Sequence, residues 1–231
     1  MKNIKNIIIV VIIVLTSICL LFINSGYQMY RKAIKEVDLT EKVSQITEKE
    51  NYTKLSEMPK IYLDAVIAVE DHRFYNHNGI DVISIGRAAF NDIRTLSFIE
   101  GGSTITQQLS KNVYFTQEKK IERKIAEVFM AFTFEKHYTK NEILELYLNT
   151  AYFGNGYYTV KEASQGYFDK EPKEMTDGEA IMLAGIPNAP SVYNPKVNLK
   201  LAKQRRNQVI KKMIKYKKLT QEEANKIIEE N

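Results

Sequence analysis

Two glutamates in this chain stand in surroundings of opposite kind, which is what divided acid and base roles require. Glu70 closes the apolar run Ala65, Val66, Ile67, Ala68 and Val69, and Asn78-Gly79 follows soon after as a stop signal. The run reads as a buried helix segment with Glu70 near its C-terminus. There the negative end of the helix dipole and a partly desolvated wall favour proton uptake, the setting a general base needs. The same local pattern also fits an ordinary core helix that ends in a solvated pair, Glu70 and Asp71. Glu127 lies in the stretch Lys119 to Phe134. On a helical wheel Ile121, Ile125, Val128, Phe129 and Phe132 share one face, and Lys119, Lys120, Arg123 and Glu127 the other. Arg123 and Glu127 are i,i+4 neighbours. As a surface pair they are worth roughly 0.2–0.5 kcal/mol. With Lys111 the same cations make a strip able to hold a pyrophosphate, with Glu127 orienting a lysine, an arginine or a divalent metal.

Between the glutamates lies Glu100-Gly101-Gly102-Ser103-Thr104-Ile105-Thr106-Gln107-Gln108. The glycines loosen the backbone, Thr104 and Gln107 have capping-box spacing, and Ile105 and Leu109 begin a helix. Such an entry presents unpaired backbone N–H groups to an anion, with the Ser103 and Thr104 hydroxyls as further donors. A capped helix without a ligand fits the pattern as well. It is not a Walker loop, because the Gly-Lys-Ser/Thr ending is missing.

These residues must be positioned by a chain of 231 residues with net charge +5. About 200 residues remain after the N-terminal apolar segment, enough for one domain with a real core. The charge suits nucleic acid, an anionic membrane surface or a phosphate-bearing substrate alike. The single cysteine, Cys19, rules out an intramolecular disulfide, a cysteine zinc site and a redox pair. Ile7 to Ile23 is an uncharged apolar run of 17 residues preceded by Lys2 and Lys5, at the short end of what crosses a bilayer. It exceeds a signal-peptide core, and Asn24-Ser25-Gly26 is a poor cleavage site. Arg31, Lys32 and Lys35 follow it, so charge alone leaves its orientation open.

The layout expected is a short N-terminus (1–6), a transmembrane anchor (7–23), a polar stalk (24–58) and a main domain (59–231). Pro59 suits the first turn of the helix leading to Glu70, with Ser56 as a cap. Asp81 to Ile99 has the spacing of a packing helix, and Thr139 to Asn149 that of a core helix. Tyr152, Phe153, Tyr157, Tyr158, Tyr167 and Phe168 are aromatic enough for a sugar-binding wall, though packing explains such residues more often. Asp177 to Leu183 opens a further helix that ends in the rigid loop Gly185 to Pro190. Lys196 to Lys218 holds ten lysines and arginines and no acid. With Val209, Ile210, Met213 and Ile214 on one side, it reads equally as a helix on anionic headgroups or as a solvated face. Thr220 and Glu223 cap a last short helix.

In order, EDHRFYNHNG, GGSTITQQLSKN, RKIAE, EILELYLNTAYFG and AIMLAGIPNAPSVYNP resemble the motifs of the peptidoglycan glycosyltransferases, family 51 of the glycosyltransferases. The resemblance runs from about Met58 to Pro195 and is nearest to the monofunctional members. It implies a mostly α-helical, lysozyme-like domain with a small membrane-proximal lobe, preceded by one N-terminal transmembrane helix. The short apolar stretch Val113-Tyr114-Phe115 falls where that lobe is expected. The activity implied is polymerisation of lipid II outside the cytoplasmic membrane, through a single-pass anchor. The resemblance makes Glu70 the base and Glu127 the second catalytic glutamate. Ser103, Thr104, Gln107, Gln108, Lys111, Lys119, Arg123 and Lys124 become substrate-binding residues, and Asp71 a supporting one. No dedicated metal-ligand cluster is visible, which leaves a divalent cation such as Mg or Mn without a named site. The partners implied are lipid II, the growing lipid-linked strand, the membrane and other wall-synthesis proteins, rather than nucleic acid. A glycan-cleaving hydrolase would share one glutamate but has no need of the Lys111, Arg123 and Lys124 cluster. An inactive tethered binding domain has no need of both glutamates.

Overall fold

In a computed structural model the described residues form eleven α-helices and no strand. The structure describes residues 2–95, 102–116, 118 and 120–229, and of residues 2, 3 and 89–95 the backbone alone. The helices are α1 (Lys2–Glu36), α2 (Leu39–Thr47), α3 (Lys60–Glu70), α4 (Val82–Thr95), α5 (Ile105–Tyr114), α6 (Ile121–His137), α7 (Lys140–Leu148), α8 (Val160–Phe168), α9 (Asp177–Gly185), α10 (Leu199–Lys215) and α11 (Gln221–Glu229).

The N-terminal apolar run makes the upper part of α1, with its large side chains exposed, and the helix is long and apolar enough to cross a membrane. Thr16 and Ser17 donate back to the carbonyls of Ile12 and Ile13 at 2.8 and 2.9 Å, so these hydroxyls need no water. The helix does not stop where the apolar run stops. At Gly26 it crosses α6 so closely that a Cβ would lie 2.6 Å from Ile125 Cβ and 2.8 Å from the Glu122 carbonyl oxygen. Only glycine permits that approach. Tyr27 and Tyr30 then pack on Phe129, with ring centroids 5.2 and 5.9 Å apart, and Tyr30 shares a hydrogen bond of 3.0 Å with Thr133.

The 24–58 segment is therefore no stalk. Its apolar residues are few, but Tyr30, Ala33 and Ile34 recur at helical spacing and pack on the core, and Leu39 and Ile46 of α2 are buried. Asp38 caps α2 by accepting from the Thr40 N–H.

α3 is the buried centre: every residue from Ala65 to Val69 is enclosed, as are Tyr62 and Asp64. It begins after Pro59 without a side-chain cap, Ser56 lying instead in the separate turn Leu55–Glu57. α9 and α10 pack against α3 and against each other, and α5 packs between α6 and α7. Val209, Ile210 and Met213 of α10 are buried in this core. The apolar side of the basic C-terminal helix is thus covered by protein and is not available to a bilayer. Val113, Tyr114 and Phe115 are half-buried against the same core, with the Tyr114 hydroxyl donating to the Val37 carbonyl. Exposed apolar side chains outside α1 include Val82, Ile83 and Ile85 of α4, a helix expected to pack. Of the aromatic stretch after α7, Phe153 is fully buried, and only Tyr152 and Tyr158 are exposed, their rings 4.9 Å apart.

Candidate active site

Glu70 is the last residue of α3, as its sequence pattern predicts, and remains partly open to solvent. One carboxylate oxygen accepts from Gln108 Nε2 at 2.8 Å. Gln108 Oε1 accepts in turn from the Tyr147 hydroxyl of α7 at 3.3 Å. Burial raises the pKa of Tyr147 well above that of an ordinary tyrosine, and the charges of Glu70 and Asp71 add to this, so the hydroxyl stays a donor. Nothing in the sequence marks Tyr147 out, because it occupies an apolar position of an amphipathic helix.

The approach of Gln108 to Glu70 is fixed by the two residues next to the helix ends. Asp71 is buried, accepts from His77 Nε2 at 2.9 and 3.1 Å, and accepts from the Ile105 N–H at 3.1 Å. Since Ile105 opens α5, Asp71 joins the end of α3 to the start of α5, one turn before Gln108. Thr104 completes the junction as a capping box: its hydroxyl accepts from the Gln107 N–H at 3.1 Å, and its own N–H donates to Gln107 Oε1 at 3.0 Å. The Thr104 hydroxyl also donates to the Gly79 carbonyl at 2.6 Å. Gly79 has φ of +93° and packs on Ala131, where an added Cβ would lie 3.3 Å from the carbonyl carbon, so glycine is needed twice over. Thr104 and Gln107 are both buried, and these bonds engage them in holding the helix start.

The cationic side of the cleft comes from α5 and α6. Glu127 is only 1 % exposed, so its pairing with Arg123 is not a surface salt bridge. Arg123 donates to one of its oxygens and Lys124 Nζ to the other at 2.9 Å. Lys124 also donates to the Ser103 hydroxyl at 2.5 Å, which fastens the glycine-rich entry of α5 to α6. Both faces of this helix meet protein: Ile125 and Phe129 pack on α1, and the opposite side carries Glu127 inward beside Ala126, Met130 and Ala131. Lys111, one turn beyond Gln108, is half-buried, and among the described residues it joins no ion pair. Burial pulls its pKa below that of an ordinary lysine. The charge of Glu127 opposes this, Arg123 and Lys124 reinforce it, and Glu70 opposes it. Lys111 thus stands in the field of both glutamates. Lys119 lies outside the described residues.

α10 contributes in a way that charge counting missed. Lys212 Nζ donates to the Val69 carbonyl at 3.1 Å, at the end of α3, and Tyr216 stacks on His72 with centroids 4.0 Å apart. Both contacts brace the turn that presents Glu70. No three His, Cys, Asp or Glu side chains converge among the described residues, and both oxygens of Glu127 already accept from cations.

The fold is an α-helical domain with a long apolar N-terminal helix, and it brings a partly open carboxylate, Glu70, near the cations Lys111, Arg123 and Lys124. Comparison with known proteins then gives the family. Residues 37–214 match the family described as Transglycosylase, and the chain belongs to it. The chain is 46% identical over 170 residues to penicillin-binding protein 1F of Bacillus subtilis, covering 74% of this chain and 24% of that protein. It is 48% identical over 170 residues to penicillin-binding protein 1A of Vibrio cholerae, covering 74% and 21%. The chain therefore spans about a quarter of the length of these relatives. The crystal structure of penicillin-binding protein 1A from Haemophilus influenzae aligns with 78% of this chain and 17% of its own, at 27% identity and a TM-score of 0.47.

Proposed function

We propose that this transglycosylase polymerises lipid II into β-1,4-linked glycan strands. Glu70 takes the proton of the 4-hydroxyl of the incoming GlcNAc, and that oxygen attacks the anomeric carbon of the MurNAc at the growing end. The bond from that carbon to the diphosphate breaks, undecaprenyl pyrophosphate leaves with the electron pair, and the configuration inverts. Inversion needs no covalent enzyme intermediate, but it needs strong stabilisation of the leaving diphosphate. Lys111, Arg123 and Lys124 supply it, joined by Lys119 in the same stretch of sequence. Glu127 holds Arg123 and Lys124 in place. Ser103 orients Lys124, Gln108 orients Glu70, and Thr104 and Gln107 keep the start of α5 in register with the end of α3.

One observation carries the reading. Gly26 of α1 touches Ile125, in the same turn of α6 that bears Arg123, Lys124 and Glu127. The cationic cluster therefore lies three residues past the apolar run of α1, at the depth where the diphosphate of a lipid-linked donor would lie. Polymerisation outside the cytoplasmic membrane, from a single-pass anchor, is the placement that the family resemblance implies.

The test is incubation of the detergent-solubilised protein with labelled lipid II, with and without Mg²⁺ or Mn²⁺, followed by gel separation and muramidase digestion. Polymer that muramidase cleaves is the expected result, and the two arms report the metal requirement. Cleavage of preformed glycan without polymerisation would make the protein a hydrolase. Unchanged lipid II bound to folded protein would make it a binding domain.

A further inference from the structure

Below its apolar run, α1 carries a second cationic feature that the cleft does not use. Gln28, Arg31, Lys32, Ile34, Lys35 and Asp38 line an open groove of about 600 Å³. The adjoining face of this helix segment, Tyr27 and Tyr30, packs on α6, and Ile34 at the edge of the groove packs on the core. The groove is thus held rigidly against the domain. Its charge is largely uncompensated: among the described residues Arg31 and Lys35 join no ion pair, and Lys32 meets Glu36 only at 3.8 Å with both side chains exposed. Asp38 accepts from the Thr40 N–H at 2.8 Å and so is engaged in capping α2.

The depth of the groove is set by helix geometry. At about 1.5 Å per residue, Arg31 lies roughly 12 Å beyond Ile23 along the axis. Side chains of an α-helix lean toward its N-terminus, which here is the direction of the apolar run. Long arginine and lysine side chains at this level therefore reach back toward the phosphate layer of a bilayer that α1 crosses. We infer that the groove lined by Arg31, Lys32 and Lys35 binds the headgroup of an anionic phospholipid, the cations taking the phosphodiester while Gln28 and Asp38 accept from headgroup hydroxyls. Charge complementarity and depth both favour a lipid over a soluble anion. The inference rests on α1 crossing a bilayer and not on the reaction proposed for the cleft, and it holds for either orientation of the helix.

Native mass spectrometry of the full chain in detergent, titrated with phosphatidylglycerol, phosphatidylcholine or glycerol 3-phosphate, tests it. The wild type should retain phosphatidylglycerol in preference to phosphatidylcholine. The variant Arg31→Gln/Lys32→Gln/Lys35→Gln should lose affinity for it about tenfold or more, with phosphatidylcholine unaffected. Lys35→Gln alone should give a partial loss, and because all three side chains are exposed the variants should keep the wild-type circular dichroism spectrum. Equal binding of phosphatidylglycerol by wild type and triple variant would overturn the inference. So would an equal loss in Lys49→Gln/Lys136→Gln/Lys173→Gln, which would mean diffuse attraction, or glycerol 3-phosphate binding as tightly as the lipid, which would mean a soluble-anion site.

Discussion

The two glutamates differ both in burial and in company. Glu70 ends a helix and meets one neutral donor, Gln108, leaving part of its carboxylate open. Glu127 lies in mid-helix at 1 % exposure with a cation on each oxygen. The open side of the first carboxylate leaves room for a substrate hydroxyl, whereas both oxygens of the second are taken by cations. In the proposed reaction the second is instead an organiser that holds Arg123 and Lys124 in one place, so the two glutamates would divide the work through the charge of what surrounds them.

The sharpest way to break this division is Glu70→Gln. The amide keeps the shape and removes the base, so polymerisation should fall by about 10²–10⁴-fold while lipid II binding changes little. Initial polymerisation rates beside a binding isotherm measure both, and a normal rate would end the assignment. Glu127→Gln should act differently. With its charge gone, Arg123 and Lys124 are no longer drawn together, so kcat/KM should fall by about 10²-fold, and stability by roughly 1–3 kcal/mol in thermal unfolding. If the rate were unchanged while stability dropped, Glu127 would be a structural residue only.

The anchor tests the other half of the argument, that the cationic cluster is held at membrane depth. Gly26→Val would drive a side chain into Ile125 and the Glu122 carbonyl, and one of the two helices must shift. Polymerisation of lipid II in vesicles should fall by about tenfold. A water-soluble short-chain analogue should be used nearly as well as by the wild type. Equal losses on both substrates would show that the contact serves folding and not depth.

How far these roles can be read from the chain depends on whether a residue's task is local. The capping box of Thr104 and Gln107 and the end of α3 at Glu70 involve neighbours a few positions away, so spacing reveals them. Glu127 involves a choice of which helix face turns inward, and the apolar face of α6 misleads because α1 claims Ile125 and Phe129. The same limit explains α4 and α10. An amphipathic pattern gives the width of an apolar face but not what covers it: Val209, Ile210 and Met213 are buried, and among the described residues Val82, Ile83 and Ile85 are exposed. Gly26 is silent in the sequence because its importance is one close approach to a residue about a hundred positions away.

Lys111 gives a smaller effect with a definite sign. Burial, with Arg123 and Lys124 beside it, places its pKa below that of an ordinary lysine, so its charge is lost as pH rises through that lowered value. If that charge stabilises the leaving diphosphate, kcat/KM should decline on the alkaline side earlier than an ordinary lysine would allow. Lys111→Arg keeps the cation and cannot deprotonate in this range, so the alkaline limb should move upward even where the rate at neutral pH drops a few-fold. A limb that stays in place would assign it to another group.

Tyr147→Phe should have the smallest effect and bears most directly on the neutral side of the comparison. The hydroxyl touches Gln108 and not Glu70, so removing it leaves the base intact but lets the amide that orients it turn. The expectation is a loss in kcat of about fivefold with KM unchanged, since the orientation of the base matters in the transition state more than in substrate binding. Gln108→Ala should lower kcat at least as far. Because the tyrosine acts only through the glutamine, the double variant should be no slower than Gln108→Ala alone. Losses that simply multiply would mean that Tyr147 supports the core and has no part in holding Glu70.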